Sequence, residues 1–328
     1  MEPIDFVVTW VDGTDPQWLR QRKQFLPDGE KQCNRWRDWE LMRYWFRSVE
    51  AYAPWVNKIW FVTWGHYPPW LNLAHPKLQV VCHQAYIPKS CLPTFNSNVI
   101  ELHLHRIQQL SEQFVLFNDD MFLLRPVKPT DFFQKGMPCD TVRMGPVQAL
   151  SGEDIFPHGV LNNCGVLNKH FSKREVLCRH WRKFFSCKYG SGLIRNLLLS
   201  PFRYFSGFYD LHLPTSHLKS TFREIWDLEP ELMHRSASQR FRSREDVTHW
   251  LMKWWRFCQG RFIPRSIGWG RCFELGNDPN VSEVIRSRRY KAVCLNDSDP
   301  DLDFPRIQKD LTEAFEKILP RKSGFELW

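Results

Sequence analysis

Two adjacent carboxylates interrupt a long apolar stretch of this 328-residue chain. Asp119 and Asp120 follow the run Phe114–Phe117 and precede the run Met121–Leu124. The first run has the composition of a buried strand, and a buried charge is costly unless it is paired or holds a metal. Carboxylate oxygens suit Mg²⁺ or Mn²⁺, which commonly bridge a protein to phosphate groups. The strand therefore ends either at a metal-binding cleft or, as the alternative, at a simple turn between two strands.

The first half of the chain alternates apolar strands with amphipathic helices. Strands are predicted over Ile4–Val11, Lys58–Trp64, Leu78–Cys82 and Phe114–Phe117, and helices over 38–53 and 97–109. This order is typical of an α/β fold with a mostly parallel sheet and flanking helices. Ligands bind at the carboxyl ends of the strands in such sheets. We therefore expect Asp12 and the Asp119–Asp120 pair to share one edge and one cleft.

The second half is more helical. Helices are predicted over Lys173–Phe185, His217–Leu228, Glu245–Cys258 and Pro305–Leu319, a strand over Tyr290–Leu295, and long loops over Gly145–Asn163 and Arg261–Asn280. We divide the chain into three segments. Residues 1–150 are expected to form an α/β core with the candidate metal and ligand cleft, 151–210 a basic helical insertion, and 211–328 a helical segment that packs on the core and completes the site.

The chain is basic, with a formal net charge of +9 and a pI of about 9.1. Such a surface predicts anionic partners. Between Lys169 and Arg203 there are nine Lys or Arg and one acidic residue. With Trp181, Phe184 and Phe185 as apolar anchors, this stretch predicts docking to an anionic polymer or to the surface of an anionic membrane. The alternative is a solvated helix face.

The sequence favours a cytoplasmic protein, with peripheral contact at the inner membrane face as a further expectation. The 10 cysteines contain no Cys-x-x-Cys pair, which is typical of free thiols in a reducing compartment. The N-terminal residues 1–5 lack the basic leader of a secretory signal. No apolar run reaches the roughly 18 residues that a membrane helix needs.

Four blocks of the sequence resemble the conserved regions of one family, in the same order. They are Ile4–Pro16 (IDFVVTWVDGTDP), the segment from Arg35-Trp36-Arg37-Asp38 to Asn118-Asp119-Asp120, the segment from His212-Leu213-Pro214 to Asp246, and Cys294–Asp297. The blocks span nearly the whole chain. On these residues the chain resembles the Stealth family, which includes bacterial capsular polysaccharide phosphotransferases and the catalytic subunit of the lysosomal-enzyme N-acetylglucosamine-1-phosphotransferase.

The resemblance implies a fold like that of nucleotide-sugar transferases (GT-A-like) and a reaction in surface-polysaccharide synthesis. A sugar-1-phosphate would pass from a nucleotide-sugar to a hydroxyl of a glycan acceptor and form a phosphodiester. The resemblance carries over to four catalytic positions, Glu101, Asp120, His212 and Arg242. We assign Mg²⁺ or Mn²⁺ to Asp119, Asp120, Asn296 and Asp297, and the donor to Asp12, Gly13, Asp15, Arg37 and Asn96. His217 lies close to His212, so either imidazole could be the working base.

Without the resemblance, each of these residues has a simpler interpretation. Glu101 could form a surface pair with His105 on one helix, and Arg242 could belong to a solvated basic face. Loop or turn positions would explain His212, Asn296–Asp297 and the Asp12–Asp15 loop. Two rival functions also remain at this stage. One is an ordinary metal-dependent glycosyltransferase that releases nucleoside diphosphate. The other is a nucleic-acid-binding protein, against which the acidic strand ends and the absence of a recognition motif argue.

Overall fold

The computed structural model describes residues 2–26, 36–149, 151, 154–297 and 301–328. Arg35, which begins the second of the four blocks, lies outside them. The strands are β1 Ile4–Thr9, β2 Ile59–Thr63, β3 Leu78–Cys82, β4 Gln113–Phe117, β5 Met121–Leu123, β6 Phe133–Gln134, β7 Met137–Asp140, β8 Thr215–Leu218, β9 Ile263–Pro264, β10 Gly270–Glu274 and β11 Ala292–Asn296. The helices are α1 Pro16–Phe25, α2 Met42–Tyr52, α3 Ser97–Leu102, α4 Pro129–Phe132, α5 Phe156–His170, α6 Lys173–Arg179, α7 Trp181–Phe184, α8 Ser191–Leu199, α9 Lys219–Leu228, α10 Pro230–Ala237, α11 Trp250–Gln259, α12 Val281–Ser287 and α13 Phe304–Ile318.

A five-stranded sheet with the order β3-β2-β1-β4-β8 forms the centre of the protein. Strands β1 to β4 are parallel to one another, and β8 pairs antiparallel with β4 at one edge. The predicted α/β fold with a mostly parallel sheet is therefore confirmed. Because β1 and β4 are parallel neighbours, the loops after Thr9 and after Phe117 leave the sheet at the same edge.

Both faces of this sheet are covered, as the nearly continuous apolar runs require. In β4, Val115 and Phe117 pack into one hydrophobic cluster, while Phe114 and Leu116 pack into another on the opposite face. The first cluster includes α2, the strands β5, β10 and β11, and the helices α12 and α13. The second includes residues of α5 to α7 and α9 to α11. The sheet therefore lies between two cores.

The chain passes from the central sheet to a second sheet within three residues. β5 begins at Met121, directly after Asn118–Asp120, and belongs to a three-stranded sheet with the order β10-β11-β5. In this sheet Cys294 of β11 lies opposite Met121, and the Leu295 N–H donates to the Asp120 carbonyl at 2.9 Å. The end of β11 is thereby fixed beside the carboxylate pair.

The first and third of the predicted segments share sheets. β8, from the segment 211–328, pairs with β4, and β11 of the same segment pairs with β5 of the core. The division at 150 and 210 stays a prediction. In the described part of the chain, no helix is both long enough and apolar enough to cross a lipid bilayer.

Several predicted boundaries in the first half are wrong, for local reasons. The helix predicted from Asp38 begins at Met42, because the Asp38 carboxylate accepts from the Glu40 N–H at 2.7 Å and Glu40 adopts a left-handed φ of 57°. The helix predicted over 97–109 ends at Leu102, where the His103 ring turns back to the Val99 carbonyl at 2.8 Å.

The second half departs further from the predictions. His217 does not begin a helix but lies in β8, because pairing with β4 keeps the backbone extended up to Leu218. The helix predicted from Glu245 begins at Trp250. The two predicted long loops contain regular structure: α5 begins at Phe156, and β9 and β10 lie within 261–280.

The predicted apolar anchors of the basic stretch are partly wrong. Phe184 is buried, with no exposed surface, so it cannot reach a partner, and Phe185 is half-buried against the same core. The Lys183 ammonium donates to the carbonyls of Gly260 and Phe262 at 2.6 and 2.8 Å. Of the three aromatic anchors, Trp181 is exposed.

The Asp5 carboxylate of β1 connects this strand to β2 and to the segment that leads into β4. This fully buried side chain accepts from Asn57 Nδ2 at 2.7 Å, the Lys58 N–H at 3.2 Å, Trp60 Nε1 at 2.9 Å and the Ser111 N–H at 2.8 Å. We predict that Asp5→Ala lowers the free energy of unfolding by about 3–5 kcal/mol, because buried donors lose their acceptor.

Urea unfolding followed by circular dichroism would measure this loss. Asp227 is exposed on α9, and Asp227→Ala is the matched control with an expected change within about 0.5 kcal/mol. A loss below about 1 kcal/mol in Asp5→Ala would contradict the proposed role of this carboxylate.

Candidate active site

A pocket at the carboxyl edge of the central sheet contains three of the four predicted catalytic residues. Glu101, His212 and Arg242 line it, together with Asn118, which directly precedes the acidic pair. The fourth, Asp120, adjoins it, because Asp120 Oδ2 lies 3.9 Å from His212 Nε2. Residues from four distant parts of the sequence therefore meet in one cleft.

Glu101 lies on α3 with its side chain buried in the pocket wall. Its carboxylate faces His249 Nε2 at 3.9 Å and not His105, so the interpretation as a surface pair is wrong. Burial raises the pKa of Glu101 to about 7, although the positive charge of Arg242 opposes this shift. Near neutral pH this carboxyl can therefore exist with or without its proton.

Two histidines stand behind Glu101, and the sequence interpretation did not identify this arrangement. His249 Nδ1 lies 3.0 Å from Nε2 of His217, which is fully buried in β8. Burial lowers the pKa of His249 to about 3 and lowers that of His217 well below its usual value, so both imidazoles are neutral. His249 lines the pocket, whereas His217 packs on Phe114 inside the protein.

Arg242 lies on a loop that is held from behind by polar side chains. Its Nη2 donates to Ser97 Oγ at 3.0 Å. The Asp246 carboxylate accepts from Asn96 Nδ2 and Asn98 Nδ2, each at 2.9 Å, and from the Ser243 N–H at 3.2 Å. These bonds fix the loop against the start of α3.

Asn96, predicted to bind the donor, has no exposed surface. Its Oδ1 caps α3 at the Asn98 N–H, and its Nδ2 also contacts the carbonyls of Gln239 and Phe241 at 3.4 and 3.2 Å. Its contacts are those of a residue that positions the Arg242 loop.

The backbone at His212 is held in an uncommon conformation. His212 has a left-handed φ of 47°, and its N–H donates to Asp210 Oδ1 at 2.7 Å. Asp210 is itself paired with the buried Lys253 at 2.9 Å, which also contacts Asp140 at 3.0 Å. Burial alone would raise the pKa of Asp210, but the charge of Lys253 and its hydrogen bond lower it, so Asp210 is ionised. The edge of Trp250 packs against the His212 ring.

Asp120 lies between His212 and Cys294. One oxygen from Asp120, one nitrogen from His212 and the Cys294 sulfur all lie within 4.8 Å of one another. Burial strongly raises the pKa of the Cys294 thiol, which therefore keeps its proton and donates to Asp120 Oδ2 at 3.2 Å. The other oxygen, Asp120 Oδ1, is buried and accepts no hydrogen bond in the described part of the chain.

Asp119 completes an acidic cleft floor. Its side chain is accessible to solvent, yet protein surrounds it closely. This desolvation, with the charges of Asp120 and Asp38, raises the pKa of Asp119 to about 8. The Asp38 pKa is raised by burial and also by Glu40 and Asp12. The loops after β1 and β4 therefore place several carboxylates close enough to repel one another, and a bound cation would relieve this repulsion.

The strand pairing brings Asn296 and Asp297 to the same place as the acidic pair. Their side chains are engaged: Asn296 Nδ2 donates to Glu274 at 2.8 Å, and Asp297 Oδ2 contacts Trp39 Nε1 at 3.2 Å and Arg37 Nη1 at 3.4 Å. Arg37, predicted to bind the donor, therefore lies beside a residue predicted to bind metal.

The remaining predicted donor-binding residues form the loop after β1. Asp12 Oδ1 accepts from the Thr14 N–H at 2.8 Å, and Asp15 caps α1. Hydrogen bonds from the start of α1 lower the Asp15 pKa, chiefly that from the Trp18 N–H. At Gly13 a Cβ would lie 2.2 Å from the Trp36 carbonyl oxygen, so only glycine fits there.

The family models for Stealth protein conserved region 1 and conserved region 2 match residues 2–30 and 35–140. The capsular polysaccharide phosphotransferase WcwK of Streptococcus pneumoniae is 43% identical over 99% of this chain and 98% of its own length. The exopolysaccharide phosphotransferase cps2G of Lactiplantibacillus plantarum is 38% identical over 98% of this chain and 96% of its own length. The receptor polysaccharide phosphotransferase WefC of Streptococcus gordonii is 38% identical over the full length of both chains.

A solved structure of the bifunctional glycosyltransferase WbbM aligns with 98% of this chain and 52% of its own, at a TM-score of 0.37 and 11% identity, a likeness too low to carry an argument. The relatives in sequence confirm the prediction of a phosphotransferase for surface polysaccharide. The chain therefore belongs to the Stealth family, and it is an enzyme that transfers sugar phosphate.

Proposed function

We propose that this enzyme transfers a sugar-1-phosphate from a nucleotide-sugar to a hydroxyl of a glycan acceptor during the synthesis of capsular or other surface polysaccharide. The observation that carries this proposal is the joining of two features in one cleft. An acidic floor at Asp119 and Asp120 meets a pocket that presents Glu101, His212 and Arg242. The first feature suits a cation on a pyrophosphate, and the second suits proton removal beside a phosphoryl group.

The reaction exchanges one phosphorus–oxygen bond for another. The acceptor oxygen bonds to the phosphorus that carries the sugar, the bond from that phosphorus to the bridging oxygen breaks, and nucleoside monophosphate leaves. We assign His212 to take the hydroxyl proton, because its ring faces the pocket and Asp120 can stabilise the imidazolium that forms. Arg242 offers a planar set of donors to the phosphoryl oxygens.

Glu101 acts on the acceptor side in this proposal. Its carboxyl is buried against the neutral His249 and has a pKa of about 7, so it can accept a hydrogen bond from a sugar hydroxyl or hold a proton. His212 is paired with Asp120, whereas Glu101 is paired with His249. We therefore assign the orientation of the base to Asp120 and not to Glu101.

A divalent cation, Mg²⁺ or Mn²⁺, fits the acidic floor. Among the described residues, none donates a hydrogen bond to the buried Asp120 Oδ1, and the charges of Asp119 and Asp38 repel each other. A bound cation would satisfy the first and relieve the second. We assign Asp119 and Asp120 as its protein ligands, with the oxygens of Asn296 and Asp297 beside them. The protonated Cys294 thiol is a poor ligand for a hard cation. A bound ion would neutralise pyrophosphate charge.

In this proposal the nucleotide-sugar donor binds beside the loops that follow β1 and β4. Asp12, Gly13, Asp15 and Arg37 lie where the loops after β1 and β4 leave the sheet, and strand ends of this kind bind nucleotides. Asn96 supports the site from behind, through the loop that carries Arg242. We place the enzyme in the cytoplasm, where nucleotide-sugars are made, at the inner face of the membrane.

The released nucleotide distinguishes this function from ordinary glycosyl transfer. In an incubation with a nucleotide-sugar panel, glycan acceptor and Mg²⁺, we expect nucleoside monophosphate to appear in step with phosphodiester. Separation of the nucleotides by ion-exchange chromatography is the measurement. Release of nucleoside diphosphate would identify attack at the sugar carbon and would overturn the proposal.

Removal of the base or of the ion ligand should slow turnover strongly and leave the fold intact. We expect His212→Ala and Asp120→Asn each to lower kcat by about 10²–10⁴, because one proton acceptor or one charge on the floor is lost. His234 is exposed on α10, and His234→Ala is the control with unchanged kcat. Near wild-type turnover in either variant, with Mg²⁺ present, would exclude the assigned role.

The buried Glu101 predicts opposite effects on stability and on activity. Its pKa in the folded protein, about 7, lies above the ordinary value of 4.5. The folded state therefore binds the proton more tightly, and the stability that this provides is lost as pH rises from about 4.5 to 7. Glu101→Gln stays neutral, so at pH 8 it should unfold with a free energy about 2–3 kcal/mol higher than wild type and converge with it near pH 4.

The same variant should lose about 10²–10³ in kcat if the carboxyl serves the reaction. Urea unfolding at several pH values and turnover at pH 8 give the two measurements. Glu313→Gln, an exposed carboxyl on α13, is the control for both. Greater stability with full activity would remove Glu101 from the reaction and leave it as a structural residue.

A further inference from the structure

Helix α8 buries the polar side chain of Asn196 and exposes three large apolar side chains. Asn196 has no exposed surface, and its Nδ2 donates to the carbonyls of Val142 and Phe184 at 3.0 and 2.7 Å. Its Oδ1 accepts from the Met144 N–H at 2.7 Å. These three hydrogen bonds fix how the helix is rotated about its axis.

Gly192, one turn earlier on the same face, allows the helix to pack closely against Arg143. A Cβ at this position would lie 2.8 Å from Arg143 Cγ, so the helix approaches its neighbour as closely as glycine permits. Asn196 and Gly192 are four residues apart and share the inward face. The buried face thus contains a small residue and a polar residue, while Ile194, Leu197 and Leu198 remain in solvent.

Three exposed apolar side chains form a stripe on the outward face of α8, and two exposed aromatic side chains follow it in sequence. Ile194, Leu197 and Leu198 are 62%, 52% and 70% exposed, and Phe202 and Tyr204 after the helix are 61% and 54% exposed. The spacing of the first three, at i, i+3 and i+4, places them side by side on the helix. Exposed apolar clusters of this kind mark interaction sites in proteins.

Exposed basic residues precede this stripe in the sequence and lie within it. The segment from Lys173 to Arg203 contains six exposed cations: Arg174, Arg179, Arg182, Lys188, Arg195 and Arg203. Glu175 is the one acidic residue of the same segment. Trp181, also exposed, adds an amphipathic ring that suits the boundary between water and lipid.

We propose that α8 and the following residues 200–204 dock this enzyme on an anionic lipid bilayer. Ile194, Leu197, Leu198 and Phe202 enter the interface, and the exposed Arg195 and Arg203 of the same stretch contact lipid phosphates. Amphipathic helices that combine an apolar face with basic residues bind membranes in this way. We call this surface, residues 191–204, the docking face.

The charge of the docking face favours a bilayer over other occupants. A second copy of the chain would bring two basic surfaces together, and like charges across an interface oppose association. A soluble anionic polymer would satisfy the arginines and leave the leucine side chains in water. An anionic bilayer satisfies both.

The docking face is joined to the site by a short, well-held segment. Phe208 pairs with Met144, and the Tyr209 N–H donates to the Arg143 carbonyl at 2.7 Å, two residues before Leu211 and three before His212. Docking would therefore hold the cleft at a fixed orientation to the membrane. This consequence for an acceptor on the membrane rests on the proposed function, whereas the docking itself does not.

Sedimentation of the full-length protein with vesicles tests the inference. We expect binding to vesicles of phosphatidylcholine and phosphatidylglycerol at 7:3, and at least tenfold weaker partitioning to pure phosphatidylcholine. The triple variant Ile194→Ser, Leu197→Ser, Leu198→Ser should lose at least tenfold in partitioning to the anionic vesicles, because these exposed side chains lose their apolar contact. A matched triple variant at exposed leucines elsewhere, Leu19→Ser, Leu73→Ser, Leu228→Ser, should bind as wild type does.

The outcomes separate the occupants. Sugar-phosphate transfer to a short soluble acceptor should be unchanged in the α8 triple variant, so a failure of the proposed reaction is distinguishable from a failure of docking. Absence of wild-type binding to anionic vesicles at low salt would overturn the inference. So would binding that the triple variant retains in full, which would assign it to the basic residues alone. A wild-type dimer in light scattering that the triple variant converts to monomer, without vesicle binding, would identify a second copy as the occupant.

Discussion

The architecture depends on a three-residue connection, Asn118–Asp120, between two sheets. β4 belongs to the central parallel sheet and β5 to the smaller sheet with β10 and β11, so the ends of both sheets must meet at this point. The pairing of β5 with β11 and the hydrogen bond from the Leu295 N–H to the Asp120 carbonyl make the junction rigid. Because the connection is so short, its two carboxylates are held at the cleft floor.

The cleft is surrounded by buried charges whose partners come from distant parts of the chain. Lys253 on α11 holds Asp210, which in turn holds the backbone of His212, while Asp246 holds the loop of Arg242. Buried ionic groups contribute little net stability when compared with apolar packing. Their contribution here is the geometry of the pocket. Glu101 and Asp119 are different, because desolvation raises the pKa of each carboxyl to about 7 and about 8 and the fold retains them at a cost.

The central sheet could be predicted from the sequence, and much of the pocket wall could not. Strands β1 to β4 are short continuous apolar runs, a pattern that is typical of buried strands, and a carboxylate pair at the end of such a run indicates a functional site. His217 was misplaced because its extended backbone is imposed by β4, about a hundred residues earlier. His249 and Glu101, which face each other in the pocket, are also far apart in the sequence. The outward face of α8 also escaped prediction, because an apolar helix face is normally assigned to the core and Asn196 gives no local sign that it is buried.

The position of the reacting phosphorus is the central claim, and a labelled donor tests it most directly. A nucleotide-sugar with ³²P in the phosphate that is bonded to the sugar would be incubated with glycan acceptor, and the radioactivity in the glycan fraction would be counted against a second sample labelled in the phosphate next to the nucleoside. This account predicts that the first label enters the glycan together with the sugar and that the second stays with the nucleotide. Retention of both labels in the nucleotide, with sugar still entering the glycan, would contradict it.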